Sequence, residues 1–193
     1  MIFPLFVFAL MALSFVVQKF LPSFDWASGS TLLLVPTLFF CAAATLSFPV
    51  MLVLAFLTGL VWDADMLVYD YSAEQGTAGP LAPSLGLPFG YSIFLFGLFG
   101  MIMQGIRPLF KVGKLGLPIL MVGLAVVLWR LAEYLIIVFR RGDPSFSRDF
   151  WEQILGCAFL SLVAAPILLL LLHRVARLMR HQIHYEGVRF HGH

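Results

Sequence analysis

Long apolar runs separated by short polar links dominate the chain. An unbroken apolar run occupies residues 2–17 and ends at Gln18 and Lys19, which predicts a first membrane-spanning helix over 2–18. A secretory signal peptide is the alternative, but the start carries no basic side chain and the apolar centre is long for a signal. We therefore interpret the segment as a spanning helix that is retained.

Residues 31–62 form an apolar stretch that is too long for one crossing and short for two. Pro49 interrupts the stretch, and a helix tends to end just before a proline. The pattern therefore predicts a tight helical hairpin that turns near residues 47–49, with spans over 31–48 and 49–62. Because a bilayer core of about 30 Å asks for roughly 20 residues per helix, a single crossing by this stretch is the alternative.

A polar segment follows, and three more apolar runs come after it. Residues 63–88 contain four acids and many Gly, Pro and Ser, which predicts a loop. Further spans are predicted over 87–106, 115–139 and 153–172. The expected fold is thus all-α, a compact bundle of about six transmembrane helices within residues 1–172, followed by a basic cytoplasmic tail over 173–193.

Composition excludes a water-soluble domain. Hydrophobic residues make up 61% of the 193 residues and charged residues only 11%, far from the balance of a soluble fold. The net charge of +2 is too small to indicate a nucleic-acid ligand. Cys41 and Cys157 lie inside apolar runs, where small packing residues are a simpler interpretation than a disulfide or a metal pair.

The distribution of Lys and Arg predicts the orientation, because loops that stay in the cytoplasm collect these residues. With six spans, one side receives Arg107, Lys111, Lys114, Arg174, Arg177, Arg180 and Arg189, and the other receives Lys19, Arg140, Arg141 and Arg148. Both termini are then cytoplasmic. A five-span chain would place the amino end outside and leave the later loops unchanged. The richer side predicts a basic docking surface for anionic lipid or an acidic partner, formed by Arg107, Lys111, Lys114, Arg174, Arg177 and Arg180.

Two ionisable residues stand inside the fifth predicted span. Arg130 and Glu133 are three residues apart on one helical face, so their charges can pair instead of meeting lipid singly. One interpretation is a functional intramembrane pair, and a proton or ion pathway is the less favoured form of that function. The other is a structural pair near the outer boundary that fixes the helix against a neighbour.

Recognisable catalytic motifs are absent from the sequence. It contains no Gly-rich phosphate loop, no H-E-x-x-H, no G-x-S-x-G and no C-x-x-C, so we expect no enzyme and no cofactor. His181 and His184 are spaced for a metal if the tail is ordered, as are His191 and His193 beyond them. A basic stalk that continues the last helix is the favoured interpretation of this tail, and no metal is expected.

Two stretches carry a likeness to a known family. The first is Phe56-Leu57-Thr58-Gly59-Leu60-Val61-Trp62-Asp63, followed by Leu87-Pro88-Phe89-Gly90-Tyr91. The second is residues 151–174, with Ala165-Pro166-Ile167-Leu168 and the basic ending His173-Arg174. Both resemble the MreD family of bacterial rod shape-determining membrane proteins, and the likeness covers most of the chain. The matching motif positions are Gly59, Asp63, Gly90 and Pro166.

The resemblance implies a noncatalytic, multi-pass inner-membrane subunit of the bacterial cell-elongation machinery. Its implied partners are MreC, the actin-like MreB, RodA and a class B penicillin-binding protein. A different class is the alternative: the substrate-binding membrane components of energy-coupling factor transporters, which are also compact six-helix proteins. That alternative needs a polar pocket near the outer face, which the acidic segment with Trp62, Tyr69 and Tyr71 could supply.

Overall fold

The structure is a computed structural model that describes residues 2–24, 29–76, 89–107, 116–141 and 148–179. Six helices account for most of these residues, and one short antiparallel pair of strands joins the first two. The elements in chain order are α1 (Ile2–Gln18), β1 (Ser23–Phe24), β2 (Ser30–Thr31), α2 (Leu34–Ala43), α3 (Phe48–Gly76), α4 (Tyr91–Ile106), α5 (Gly116–Arg141) and α6 (Arg148–Leu178). This helical bundle agrees with the predicted all-α class.

Helix α2 lies at the centre of the bundle. Nine of its ten residues are buried, and it packs against every other helix. A helix that is apolar on all sides is expected to be surrounded, because it has no face suited to water. The other five helices therefore form a ring around α2.

Gln18, at the end of α1, satisfies the amino end of α2. Its side-chain oxygen accepts hydrogen bonds from the backbone N–H groups of Leu34, at 2.7 Å, and Val35, at 3.3 Å, while its Nε2 donates to the Leu32 carbonyl oxygen at 2.8 Å. The first N–H groups of a helix have no partner within the helix. A neighbouring helix thus supplies the cap that α2 lacks in its own sequence.

The carboxyl end of α2 is satisfied in the same way by α4. Gln104 Nε2 donates to the carbonyl oxygens of Ala43, at 2.7 Å, and Leu46, at 2.9 Å. Arg107 Nη1 donates to the Leu46 oxygen at 2.8 Å. Both ends of the central helix are therefore anchored by side chains from the surrounding ring.

We expect Gln18→Leu to lower the free energy of unfolding by about 1–3 kcal/mol, because the buried Val35 N–H would lose its bond to Gln18, and Leu34 N–H and the Leu32 carbonyl would keep only the bond between them. Denaturant unfolding of the purified protein in detergent measures the change. Gln153→Leu is the matched control, since the Gln153 side chain is exposed and an effect within about 0.5 kcal/mol is expected. Equal losses in the two variants would contradict the capping role of Gln18.

Successive helices run in opposite directions. Helix α4 parallels α2, since Phe39 packs on Phe96 with ring centroids 4.9 Å apart and Gln104 reaches Ala43. Helix α6 also parallels α2, because Ser30 contacts Gln153 and Cys41 contacts Ala165. Helices α1, α3 and α5 run the other way. We name the two ends of the bundle the Asp63 end, where α4 begins, and the Arg107 end, where it finishes.

The loop predicted over 63–88 is wrong for its first half, because α3 continues to Gly76. The acids at positions 63, 65, 70 and 74 end the apolar run, but they do not break a backbone helix. Between Gly59 and Gly76 the sequence contains neither proline nor glycine, so nothing stops the helix. Residues 77–88 lie outside the described residues.

The helix predicted over 31–48 is much shorter than expected. Helix α2 spans ten residues, residues 44–47 form a turn, and residues 30–33 are non-helical. Pro49 stands in the first turn of α3, where a missing N–H is harmless, so this proline opens a helix rather than closing one. The hairpin is present, but its turn comes a few residues earlier than predicted.

The remaining helices match the predicted apolar runs with shifted ends. Helix α6 is longer at both ends than the run over 153–172 and carries the chain to Leu178. Among the described residues, three helices contain stretches long and apolar enough to cross a membrane, namely Phe48–Leu67, Gly116–Phe139 and Trp151–Leu178. Helices α1, α2 and α4 are apolar but shorter, with 17, 10 and 16 residues.

Candidate functional site

Three of the four residues that carry the resemblance, Gly59, Asp63 and Gly90, lie where α3 and α4 cross. A Cβ atom on Gly59 would lie only 2.4 Å from the Ile93 Cα and 2.5 Å from its backbone nitrogen. Such distances leave no room for any side chain larger than hydrogen. The lack of a side chain at Gly59 therefore allows α3 and α4 to approach closely at this point.

One turn further along α3, Asp63 holds the start of α4. Its Oδ2 accepts a hydrogen bond of 2.6 Å from the Gly90 backbone N–H, and the side chain is buried. A carboxylate at a helix amino end is favoured because it meets unpaired N–H groups and the positive end of the helix dipole. Asp63 thus bonds to the residue that precedes α4, Gly90, which lies 27 residues later in the chain.

Gly90 adopts the backbone conformation that this cap requires. Its φ is +97°, in the left-handed region where a side chain is strained. The residue precedes Tyr91, the first residue of α4, so its N–H points toward α3 rather than continuing the helix. Gly59, Asp63 and Gly90 therefore together form the contact between α3 and the beginning of α4.

The Arg130 and Glu133 side chains form an ion pair on α5. Arg130 Nη1 lies 2.9 Å from Glu133 Oε2, and the exposed fractions of the side chains are 29% and 6%. The carboxylate is thus shielded almost completely, whereas the guanidinium keeps an edge toward the surroundings. A shielded charge is tolerated when an opposite charge is bonded to it.

Aromatic rings connect the ion pair with the α3–α4 crossing. Trp62 and Trp129 lie edge to face with centroids 5.3 Å apart, and Phe96 contacts both, at 6.3 Å and 5.4 Å. Trp62 precedes Asp63, and Trp129 lies one turn before Glu133 on the same face of α5. The three rings therefore join α3, α4 and α5 directly beside the two acidic side chains.

Asp63 follows Trp62 and Glu133 lies one turn after Trp129, so the two buried acidic side chains flank the contact between the indole rings. Ser92 lies one turn before Phe96 on α4, and its hydroxyl is fully buried without a partner among the described residues. We call the set Trp62, Asp63, Gly90, Arg130 and Glu133 the Asp63 cluster. Its charges are held by helix contacts, which suits a structural junction between three helices.

Pro166 is separate from this cluster. It lies inside α6, beside Ala165, whose carbonyl oxygen is 4.0 Å from Cys41 Sγ on α2. Cys41 and Cys157 are buried free thiols on different helices. The fourth motif position thus belongs to the packing of α6 on the central helix.

The predicted basic surface is described for three of its six residues. Arg107, Arg174 and Arg177 all lie at the Arg107 end, because α4 and α6 run in the same direction. The Arg174 and Arg177 side chains are exposed, whereas the Arg107 guanidinium is bonded to α2. Outside the described residues lie Lys111, Lys114, Arg180, His181, His184, His191 and His193. Within the described part, no three His, Cys, Asp or Glu side chains gather as a metal site would require.

Three polar residues with structural roles were missed by the sequence analysis. Gln18 and Gln104 anchor the ends of α2, and Lys19 pairs with Asp65 at 2.6 Å across α1 and α3. A usable signal was present for Gln104, because it stands inside a predicted apolar span, where a polar side chain needs a hydrogen-bond partner. The partners themselves are 14 to 61 residues away and cannot be read from local pattern.

Comparisons with known proteins identify no relative. The chain matches no protein-family model, and no characterised protein or solved structure is significantly similar to it.

Proposed function

We propose that the chain is a noncatalytic inner-membrane subunit of the bacterial cell-elongation machinery, similar to MreD proteins. In this proposal six segments cross the bilayer and both termini face the cytoplasm. The protein works by holding partners together, namely MreC, MreB, RodA and a class B penicillin-binding protein.

The observation that carries the proposal is the single contact made by Gly59, Asp63 and Gly90. These are the positions on which the resemblance to MreD proteins rests most, and in the fold they define how α3 meets α4. Residues that fix a helix crossing are needed by a rigid scaffold. Their common location supports the view that the motif specifies a structure rather than a reaction.

The length of α2 and the hydrogen bonds at its two ends support insertion in a bilayer. Its ten helical residues rise about 15 Å, and the four non-helical residues before it add at most about 13 Å, which together approach the roughly 30 Å of a hydrocarbon core. Non-helical backbone at that depth is tolerated only when protein surrounds it and satisfies its polar groups. Gln18, Gln104 and Arg107 supply those hydrogen bonds.

The exposed arginines at the Arg107 end support a cytoplasmic docking surface. Arg174 and Arg177 stand on the last two turns of α6 and point away from the bundle core. Basic side chains beside a span attract anionic lipid and acidic protein surfaces. Arg107 contributes less to such a surface, because its guanidinium is already bonded to the α2 end.

The transporter alternative has weaker support. Trp62 was expected to line a polar pocket, yet it is buried among Phe15, Phe96 and Trp129. The groove between α1 and α3 is lined almost entirely by apolar side chains, which suits hydrocarbon better than a polar solute. The side chains of Tyr69 and Tyr71 lie outside the described part.

Gentle extraction from the native host tests the proposal. We expect an affinity-tagged chain to recover MreC, MreB, RodA and a class B penicillin-binding protein, as measured by quantitative mass spectrometry. Arg174→Gln with Arg177→Gln should reduce recovery of the cytoplasmic partner several-fold, since two attractive charges near the surface are lost. Gln153→Glu is the control, because it changes charge at the opposite end of α6.

Recovery of a stoichiometric vitamin-like solute without any elongation protein would refute the scaffold and favour the transporter component.

A further inference from the structure

A groove runs along the outside of the bundle between α1 and α3. The two helices are parallel and meet at Lys19 and Asp65. From there toward the Arg107 end, α1 packs mainly on α2 and leaves α3 uncovered. The space between them is a cavity of about 390 Å³ lined by Phe8, Met11, Ala12, Phe15, Leu54, Leu57, Thr58 and Val61. We call it the α1/α3 groove.

The groove continues to the Asp63 end of the bundle. A second cavity, of about 520 Å³, shares Phe15 and Val61 with the first. Its other lining residues are Val16, Lys19, Phe20, Ala64 and Asp65. The apolar groove therefore opens at a mouth that carries one cation and one anion.

We propose that the α1/α3 groove binds a phospholipid whose headgroup carries both a phosphate and an ammonium. One acyl chain lies along the apolar walls, the phosphate contacts Lys19, and the ammonium contacts Asp65. The inference rests on insertion in a bilayer and is independent of the protein partners proposed above.

The lining and the mouth of the groove favour a phospholipid. From Phe8 to Phe15 the wall of α1 rises about 10 Å, and a hydrocarbon chain matches the lining, in which the Thr58 hydroxyl is the single oxygen-bearing side chain. The paired charges at the mouth then favour a lipid over an apolar helix, because a phospholipid carries its charges at the end of its acyl chains.

The charges at the mouth select the headgroup. Lys19 Nζ and Asp65 Oδ1 are 2.6 Å apart, and their side chains are 52% and 29% exposed. Because both side chains keep exposed surface while they are paired, a headgroup can approach the cation and the anion together. A headgroup with a phosphate alone is attracted by Lys19 but repelled by Asp65. A zwitterionic headgroup complements both charges.

Native mass spectrometry of the detergent-purified protein tests the site. The protein is mixed with phosphatidylethanolamine and phosphatidylglycerol that carry the same acyl chains, and bound lipid is counted. We expect one phosphatidylethanolamine to be retained preferentially. Lys19→Gln should reduce its retention about fivefold, the effect of one lysine at a membrane surface. Asp65→Asn should abolish the preference between the two lipids while leaving phosphatidylglycerol bound.

A pair of variants on α1 tests the apolar part. Ala12→Trp fills the groove and should displace the lipid, whereas Ala9→Trp, on the same helix and equally exposed but outside the lining, should retain it. Equal retention by these two variants would overturn the site. Unchanged retention in Lys19→Gln, or an unchanged preference between the two lipids in Asp65→Asn, would overturn it as well. Recovery of a stoichiometric single-pass polypeptide in place of lipid would also overturn it. Loss of the elongation partners with lipid retained would refute only the proposed function.

Discussion

Gly59→Ala is expected to lower the free energy of unfolding by about 3 kcal/mol, the upper part of the range for overpacked positions. The added methyl group would meet the Ile93 backbone at 2.4 Å, and backbone cannot move aside as a flexible side chain can. The two helices must separate, which also pulls Asp63 away from the Gly90 N–H. Unfolding in detergent, followed by circular dichroism against denaturant, measures the loss.

Gly97→Ala on α4 is the matched control for this exchange. A Cβ atom there meets nothing within 4 Å, so the expected change is neutral or a gain of up to about 1 kcal/mol from the better helix propensity of alanine. Partner recovery should fall with Gly59→Ala and persist with Gly97→Ala if the crossing supports the scaffold. Similar stabilities for the two variants would show that α3 and α4 do not approach closely at Gly59.

The sequence was sufficient for the helices, because their apolar runs are long and the breaks between them are strong. The predicted bounds of α2 and α3 were wrong, because in these two segments the helix and the apolar run end at different residues. Asp63 ends an apolar run, yet α3 continues through it to Gly76. Its carboxylate accepts a hydrogen bond from Gly90, 27 residues later, at the beginning of α4. Helix α2 is short because its ends are completed by other helices, which no local pattern records.

The candidate site was predicted in parts but not as a whole. Gly59, Asp63 and Gly90 were selected by resemblance, and Arg130 with Glu133 by their spacing inside an apolar run. What joins them is the packing of Trp62 on Trp129, an interaction between residues on different helices. Aromatic residues are frequent in this chain, at 15%, so their pairing cannot be chosen from sequence alone.

The ion pair on α5 gives the second large expected effect. Arg130→Met leaves the Glu133 carboxylate shielded and without its guanidinium, and we expect a loss of about 3–5 kcal/mol in the free energy of unfolding. Glu133→Leu should cost less, because the Arg130 side chain keeps an exposed edge and can turn outward. The double variant removes both charges and should be more stable than Arg130→Met alone.

These three variants and the parent protein form a double-mutant cycle. The expected coupling is about 2 kcal/mol or more, since the side chains share one hydrogen bond of 2.9 Å and little solvent reaches the carboxylate. Glu133→Leu combined with Gly97→Ala serves as the control, because residues without shared partners should add within about 0.5 kcal/mol. Additive losses for Arg130→Met and Glu133→Leu would mean that the two charges are stabilised separately. Strong coupling would instead show that Arg130 and Glu133 act as one unit on α5, one turn from the Trp129 ring that packs on α3 and α4.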